Sequence, residues 1–409
     1  MKIRPIVYIV PLAVLALALA IGSTLLLRVF FLLSVLGVVA FLWTAFGLKG
    51  LRAEAGEMPE FCYAGDSFEH DVTLSNDSLM PKLLVKAEEK TDLPGYSNMS
   101  VLNIRGLQTT ALHGKVTPRR RGRYSMGSVS VTTGDPFGLF TRTKVFGKPK
   151  NILVYPQIAD LPFYRTTFSS LTDYGYGTSG RRISQISPSA SSVREMVSGD
   201  SQEHIHWRST AHTGKLMVKV FDAEHSSDNT KDVSIVLDMQ KDAQYGEGDE
   251  LTEEYLVSAA ASIAKKCLDD GMKVGLLAEA ERGYYYSPNG SSANWLKMLD
   301  SLALMKATGT VPVEEVMGDV GRFPENSTVI VVTTQCTESV ANSLRHLRNY
   351  GNSVVAVFVD SSTFGGTLNP TYMSHALGST GAQVYVIRAG DNMSKALDSR
   401  AAIWYSRYL

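Results

Sequence analysis

Residues 233–278, VSIVLDMQKDAQYGEGDELTEEYLVSAAASIAKKCLDDGMKVGLLA, decide the fold of the C-terminal half. Val233–Leu237 is a short apolar run of the kind that is buried on both faces of a parallel sheet. Residues 252–270 predict a helix, with Thr252 as its cap, acidic residues in its first turn and Gly271 at its end. Lys273–Ala278 predicts the next strand. This succession indicates an α/β unit.

The same alternation continues toward the C-terminus. Further strands are predicted at 328–333, 353–359 and 383–388, a short edge strand at 283–286, and helices at 291–306, 338–350, 371–379 and 393–407. We therefore predict a doubly wound parallel sheet over residues 226–409. Ligands of such sheets gather beyond the carboxyl ends of the strands. Asp238, which follows the first strand, marks the edge at which a site is expected.

Two uncharged runs, residues 6–27 and 29–48, dominate the N-terminus. Each approaches the ~20 residues that a helix needs to cross a bilayer. One continuous helix would bury Arg28 in the hydrocarbon, so we expect a transmembrane hairpin within residues 1–50, with helices at about 5–22 and 25–47. A cleaved signal peptide is the alternative, but no A-x-A-like site follows the first run.

Basic residues flank both ends of this hairpin: Lys2, Arg4, Lys49 and Arg52. Because positive charges stay on the cytoplasmic side, we expect a multi-pass protein of the cell (plasma) membrane. Its N-terminus and its C-terminal domains are then cytoplasmic, and the lipid bilayer is its first partner.

Residues 51–160 contain short alternating runs separated by turn residues, which predicts a small antiparallel β-sandwich. Within it, Arg119, Arg120, Arg121 and Arg123 form a basic cluster. Two interpretations stay open: a solvated hairpin end, or a contact with anionic headgroups. Nucleic acid is not expected as a partner, because no aromatic stacking platform accompanies the cluster.

The overall composition excludes several classes of protein. The 40 basic residues balance the 40 acidic ones, so the chain is neither a basic nucleic-acid coat protein nor an acidic solvating chain. A hydrophobic content of 44% supplies enough apolar material for a core. The cysteines Cys62, Cys267 and Cys336 are too few and too distant for a disulfide framework, which fits a reducing compartment.

Residues 161–192 are rich in Ser, Thr and Gly and predict a connector, and residues 193–225 are densely polar. The polar segment gathers Asp200, His204, His206 and His212. This cluster could form a zinc or iron site, or a hydrolase with Ser201, or simply a hydrogen-bonded polar segment. Its spacing matches no established metal motif, and neither a G-x-S-x-G elbow nor a phosphate loop of the G-x-x-x-x-G-K-[ST] type occurs in the chain.

The polar segment resembles the signature of the bacterial Domain of Unknown Function 58 family. Its matching residues include Arg194, Glu195, Gly199, Asp200, Trp207, Arg208, Gly214 and Glu224. The upstream run from Arg121 to Phe140 and the N-terminal apolar runs also resemble that family. The sequence departs from the pattern at Met196, Ser201, Glu203 and His212, where the family has an aromatic residue, Asp, Arg and Arg.

The resemblance implies a von Willebrand factor A-like C-terminal domain that works beside a MoxR-type AAA+ ATPase. Such domains commonly bind Mg²⁺ through a D-x-S-x-S motif after the first strand. Here both serines are missing from Asp238–Asp242, and Lys241 would bring a cation. No metal or other cofactor is therefore expected, and Asp238, Asp242 and Thr333 form only a degenerate candidate site.

The acidic residues Glu247, Asp249, Glu250, Glu253 and Glu254 follow in the same loop. They form either a partner-facing surface or a solvated helix start.

The functional hypothesis is a membrane-anchored, non-catalytic adaptor, with the ATPase as a partner by resemblance alone. The alternative is a metal-dependent binder or hydrolase that uses the Asp200, His204, His206 and His212 cluster.

Overall fold

The computed structural model describes residues 1–164, 192–195, 209–210, 213–220, 232–366 and 382–399. Most of the predicted connector at 161–192, the predicted helix at 371–379 and the end of the predicted helix at 393–407 lie outside these residues. The described part has apolar helices at its N-terminus, then a group of β-sheets, then an α/β unit.

The N-terminal segment comprises strand β1 (Lys2–Ile3) and helices α1 (Ile6–Ile21) and α2 (Thr24–Gly47). Gly22 ends α1 with φ +70°, a left-handed conformation that favours glycine. Among the described residues, α2 is the helix that is long and apolar enough to cross a membrane, whereas α1 has 16 residues. The sequence predicted two membrane-spanning helices, and of the two only α2 is long enough to span a membrane.

Three sheets follow, in the strand orders β1-β10-β9-β5-β6, β2-β4-β7 and β3-β11-β8. Their strands are β2 (Leu51–Ala55), β3 (Phe61–Tyr63), β4 (Phe68–Asn76), β5 (Lys82–Lys90), β6 (Met99–Ile104), β7 (Thr109–Val116), β8 (Gly122–Met126), β9 (Ser128–Gly134), β10 (Phe140–Phe146) and β11 (Lys150–Tyr155). Alternate residues of the first two sheets, such as Leu74, Val85 and Val131, share one buried core. We call this unit the sandwich.

The α/β unit is built on one six-stranded sheet in the order β18-β17-β14-β19-β20-β21. Its strands are β14 (Asp232–Leu237), β17 (Lys273–Glu279), β18 (Gly283–Asn289), β19 (Thr328–Thr333), β20 (Ser353–Val359) and β21 (Gln383–Ile387). Between β14 and β17 in the chain, the short strands β15 (Gly246–Glu247) and β16 (Glu250–Leu251) pair with each other as a hairpin. The sheet is parallel as predicted except at its edge strand β18, which pairs antiparallel with β17. Only three residues separate these two strands, a connection too short for a parallel crossover.

In chain order the strands of this sheet lie 3-2-1-4-5-6, so the winding reverses between β14 and β19. The sheet is covered by helices α3 (Thr252–Asp269), α4 (Ser292–Leu304), α5 (Val313–Gly318), α6 (Glu338–Asn349) and α7 (Met393–Ala396). Cys267 is buried in the core between α3 and the sheet.

Helix α3 begins differently from the prediction. Leu251, not Thr252, occupies the cap position. The Thr252 hydroxyl donates to Gln244 Oε1 at 2.8 Å and accepts from the Tyr245 amide at 2.9 Å, so it secures the preceding loop instead. The end is as predicted: Gly271 has φ +78° and its amide donates to Leu268 O at 3.0 Å.

The sandwich and the α/β unit share a packed interface. Tyr155 at the end of β11 is buried in a cluster with Leu299 and Ala303 of α4. The Tyr155 hydroxyl donates to Asp300 Oδ1 at 2.8 Å, and burial together with this carboxylate raises the pKa of Tyr155 to about 12. The interface thus combines apolar burial with a specific hydrogen bond.

Candidate functional site

The carboxyl ends of β14 and β19 bring Asp238 and Thr333 together at the point where the winding reverses. The Thr333 hydroxyl donates to Asp238 Oδ2 at 2.6 Å, and the Gln240 amide donates to Asp238 Oδ1 at 3.1 Å. Both side chains are buried, with Asp238 2% exposed and Thr333 0% exposed. In doubly wound sheets this crevice is where ligands bind, so we take it as the centre of the candidate site.

The loop after Asp238 is fixed by further hydrogen bonds. Gln335 Nε2 donates to Gln240 Oε1 at 2.6 Å, which links the loop after β14 to the loop after β19. Gln244 Nε2 donates to the carbonyls of Asp238 and Gln240, both at 3.3 Å. The polar groups around the carboxylate are therefore largely satisfied by one another.

Burial raises the pKa of Asp238, although the hydrogen bonds from Thr333 and Gln240 oppose the shift. A second carboxylate adds to it: the charge of Glu314, on α5, also raises the pKa of Asp238. Glu314 Oε2 is itself buried without a hydrogen-bond partner. The crevice therefore disfavours a negative charge on Asp238.

The donor set does not fit a Mg²⁺ ion held in the manner of D-x-S-x-S. The two serine positions are Gln240, whose side-chain oxygen accepts from Gln335, and Asp242, which is exposed in the turn Lys241–Ala243. The structure brings Asp238 and Thr333 together but leaves Asp242 outside the pair. Among the described residues, no group of three or more His, Cys, Asp and Glu side chains could hold a metal ion.

Sequence reasoning missed a third polar residue at this edge. Asp360 follows β20, is 5% exposed and caps the turn Ser361–Phe364 by accepting from the Ser362 amide at 3.1 Å. Arg388 Nε lies 3.6 Å from Asp360 Oδ2. The signal was present in the sequence, since an aspartate directly follows the apolar run at 353–359, as one does at Asp238.

The two ends of the polar signature form a short ribbon. Strand β12 (Ser192–Glu195) pairs antiparallel with β13 (Met217–Val220), which sets Arg194 opposite Val218 and Glu195 opposite Met217. Gly214 lies in the turn before β13 with φ +68°. The remaining signature residues lie outside the described residues: Gly199, Asp200, Trp207, Arg208 and Glu224.

The histidine cluster also falls there. His204, His206 and His212 lie outside the described residues, together with Asp200. The metal-site and hydrolase alternatives therefore stay predictions from the sequence.

At Arg121 the structure excludes both interpretations of the basic cluster, because this side chain is neither solvated nor free to contact lipid headgroups. The Arg121 side chain is 2% exposed and lies against the start of α3, with Nη2 2.6 Å from Glu253 Oε1 and Nη1 2.8 Å from Glu254 Oε1. It also donates to two carbonyls at the end of α4, Leu302 O and Met305 O, each at 2.9 Å. Arginine suits this position because its fork of donors can serve several acceptors at once.

The acidic stretch is correspondingly not a free partner surface at these positions. Asp249 lies 3.1 Å from Arg119 Nη1 and 3.5 Å from Arg120 Nε. Glu253 and Glu254 are engaged by Arg121, and burial raises the pKa of Glu254 although Arg121 opposes this shift. The basic and acidic stretches therefore recognise each other and join the sandwich to the α/β unit.

Comparison with known proteins agrees with the resemblance drawn from the signature. Residues 192–362 match the model of the family described as Protein of unknown function DUF58. The chain is also 26% identical over 248 residues to the uncharacterized protein YeaD of Bacillus subtilis (strain 168). That match covers 58% of this chain and 56% of the relative, so it spans a little over half of the relative's length.

Similarity to solved structures is weak. The conserved hypothetical protein BatB from Bacteroides thetaiotaomicron matches with a TM-score of 0.31 and 13% identity, over 43% of this chain and 98% of that protein. Proximal thread matrix protein 1 from the mussel byssus matches with a TM-score of 0.30 and 11% identity, over 41% of this chain and 46% of that protein.

Proposed function

We propose that the protein is a membrane-anchored, non-catalytic interaction module. In this proposal α1 and α2 form a hairpin that anchors the chain in the plasma membrane. The N-terminus and the domains that follow α2 then both lie in the cytoplasm. The α/β unit is a von Willebrand factor A-like domain that offers the carboxyl edge of its sheet to a protein partner. By family resemblance, that partner is a MoxR-type AAA+ ATPase.

The observation that carries the proposal is the closed hydrogen-bonded state of this edge. Asp238 and Thr333 are buried and bonded to each other, so neither offers an accessible reactive atom to a substrate. Beside them, the turn at Lys241–Ala243 exposes Lys241 and Asp242. An edge with a fixed polar interior and charged exterior suits recognition of a protein surface.

The ion pairs of Arg121 with Glu253 and Glu254 support the same proposal. They fix the α/β unit to the sandwich, and the sandwich contacts α2 through Arg142, whose Nη1 donates to Ala45 O at 2.7 Å. A partner bound at the carboxyl edge would therefore be held at a defined position relative to the anchor. Such positioning is what an adaptor contributes.

Site-specific crosslinking tests the proposal. A photo-reactive amino acid is placed at Asp242 in the full chain, irradiated in native membranes with and without Mg-ATP, and the adducts are identified by mass spectrometry. The matched control is the same amino acid at Lys265, whose side chain is 43% exposed and which lies on α3 about 20 Å along the helix from its start.

We expect an AAA+ ATPase to be captured from position 242 with a yield that depends on nucleotide, and not from position 265. Absence of an ATPase at 242 in both conditions, or equal capture at both positions, would overturn the partner assignment.

A further inference from the structure

Three turns of the sandwich lie at the end where the apolar helices leave it. The registers Leu51 to Asn76, Lys82 to Ile104 and Thr141 to Gly134 put the turns at 77–81, 105–108 and 135–139 at one end. Helix α2 ends and β2 begins at this same end. The start of α1 is also there, because Ile3 pairs with Phe140 and the Arg4 amide donates to Leu139 O at 3.0 Å.

Each of these turns exposes a large apolar side chain. Leu79 is 83% exposed, Leu107 is 68% exposed and Phe137 is 60% exposed. Met80, the next residue in the chain, and Leu84, near the start of β5, are exposed as well. We call these five residues the apolar tips. Single exposed apolar residues are ordinary, but a group of five at one end of a domain marks an interaction surface.

The backbone at two of the tips strengthens this argument. Leu84 has φ +53° and Leu107 has φ +57°, a region that bulky residues rarely occupy and that glycine or asparagine adopts more easily. At both positions a leucine is therefore held in an unfavourable backbone conformation while its side chain points into solvent. Such combinations are kept where the side chain has a use.

The tips are fixed relative to α2. Lys82 Nζ donates to Phe46 O at 3.1 Å, and the Asp77 amide donates to Gly50 O at 2.8 Å. The Leu107 amide donates to Ser78 O at 3.1 Å, which joins two of the turns. These hydrogen bonds therefore hold the apolar tips at a fixed position relative to the last turn of α2.

The charges around the tips are mostly positive. The exposed basic residues at this end are Lys2, Arg4, Lys49, Arg52, Arg105 and Arg142. The carboxylates of the turns are engaged: Asp77 pairs with Arg52 at 2.9 Å, and Asp135 accepts from backbone amides of its own turn. Apolar side chains within a basic surrounding match the boundary between acyl chains and anionic headgroups.

We propose that the apolar tips insert into the interface of the leaflet from which α2 emerges, so that the sandwich forms a second, peripheral contact with an anionic membrane. This inference rests on the proposed anchoring by α2. A second copy of the chain is the competing occupant of the same surface. The membrane is favoured because the tips continue the apolar surface of α2, whose side chains are themselves largely exposed.

Spin-label depth measurements test the proposal on the full chain. The C62S variant serves as background, because Cys267 and Cys336 are buried. Single labels are placed at Leu79→Cys and Leu107→Cys, and the protein is reconstituted in vesicles of phosphatidylcholine and phosphatidylglycerol. Met99→Cys is the matched control, since Met99 is 54% exposed but lies at the opposite end of β6. Leu32→Cys, in the middle of α2, reports whether the anchor itself is inserted.

We expect labels at 79 and 107 to be relaxed more by oxygen than by a water-soluble nickel complex, as at position 32, with the reverse order at 99. In the variant L107N, which suits the left-handed backbone, a label at Leu79→Cys should lose part of its preference for oxygen. Aqueous behaviour at 79 and 107 with a lipid-exposed label at 32 would overturn the inference and leave the anchor intact. An aqueous label at 32 would instead overturn the anchor. Broadening between labels that disappears on dilution with unlabelled protein would assign the tips to a second copy, against the proposal.

Discussion

Arg121 Nη2 lies 2.6 Å from Glu253 Oε1, and this contact joins two folding units that are separate in the sequence. The same guanidinium reaches Glu254 Oε1 at 2.8 Å and two carbonyls at the end of α4. Two carboxylates balance the charge of this buried guanidinium, and two carbonyls accept hydrogen bonds from its remaining N–H groups. Within the described interface, Arg121 therefore makes more polar contacts between the two units than any other side chain.

Arg121→Ala should weaken this coupling strongly. Removing one partner of a buried ion pair costs about 3–5 kcal/mol, because the other charge is left uncompensated. For a unit of this size we expect a fall in the thermal midpoint of roughly 6 °C or more. Differential scanning fluorimetry of the full chain in detergent measures it.

Arg123→Ala is the matched control, because Arg123 is exposed two residues away. A surface change of this kind should shift stability by no more than about 0.5 kcal/mol. Equal midpoints for the two variants would contradict the role assigned to Arg121.

The Asp238 carboxylate should contribute more through its hydrogen bonds than through its charge. Asp238→Ala leaves the Thr333 hydroxyl and the Gln240 amide without their acceptor, at a cost of about 1–3 kcal/mol for a buried unsatisfied group. Asp238→Asn keeps an acceptor for Gln240 and a donor for Thr333, so its thermal midpoint at neutral pH should lie close to or above that of the natural protein.

The pH dependence of the same variants gives an independent check. The pKa of Asp238 is raised in the folded state, so its contribution is fully present below its unfolded pKa and is lost as pH rises through the folded pKa. In the natural protein, this group lowers the thermal midpoint as pH rises from the unfolded pKa of Asp238 to its folded pKa. Asp238→Asn should reduce that decrease. An unchanged pH profile would show that Asp238 is not protonated preferentially in the folded protein.

The sandwich contains a buried His–Glu pair that should make its stability pH-dependent. His70 and Glu89 side chains are both 0% exposed, with His70 Nε2 3.0 Å from Glu89 Oε1. Glu89 raises the pKa of His70, although burial opposes this shift. The contribution of His70 is therefore fully present below its unfolded pKa of about 6.5 and is lost as pH rises through the folded pKa.

His70→Gln should make stability less dependent on pH, and it should lower stability in mildly acidic buffer by about 3 kcal/mol, because it breaks the buried ion pair with Glu89. Thermal midpoints measured across mildly acidic and neutral pH check it. His113→Gln is the control, because His113 also lies 3.0 Å from a carboxylate, that of Asp71, but its side chain is 80% exposed. If both variants retain the profile of the natural protein, the titrating group lies elsewhere.

The sequence predicted the elements of the α/β unit well, because their signals are local. Apolar runs such as Val233–Leu237 and the capping glycine Gly271 act within a few residues, and both elements are found where they were expected. The role of Arg121 could not be read locally. Arg121 meets Glu253, 132 positions away, and only the folded chain shows that the basic and acidic stretches face each other. Similarly, Thr252 has the composition of a cap but serves the preceding loop.

Gly309 should be required for the geometry of the candidate site. Its amide donates to Met239 O at 3.0 Å and its carbonyl accepts from the Lys241 amide at 2.9 Å, so it holds the loop that follows Asp238. A Cβ at this position would clash with the Glu279 carbonyl and lie 3.0 Å from Met239 O. Both obstacles are backbone atoms, which cannot move aside as a flexible side chain can.

Gly309→Ala should therefore destabilise the α/β unit by at least the ~1–3 kcal/mol typical of overpacking, and displace the turn at Lys241–Ala243. Gly318→Ala is the matched control, because nothing lies within 4 Å of the added Cβ and the residue is helical. Thermal unfolding measures the first effect, and the crosslinking yield from position 242 measures the second. Loss of crosslinking in Gly309→Ala at a temperature where the protein is still folded would tie partner capture to the loop geometry, whereas an unchanged yield would separate the partner's contact from the Asp238 loop.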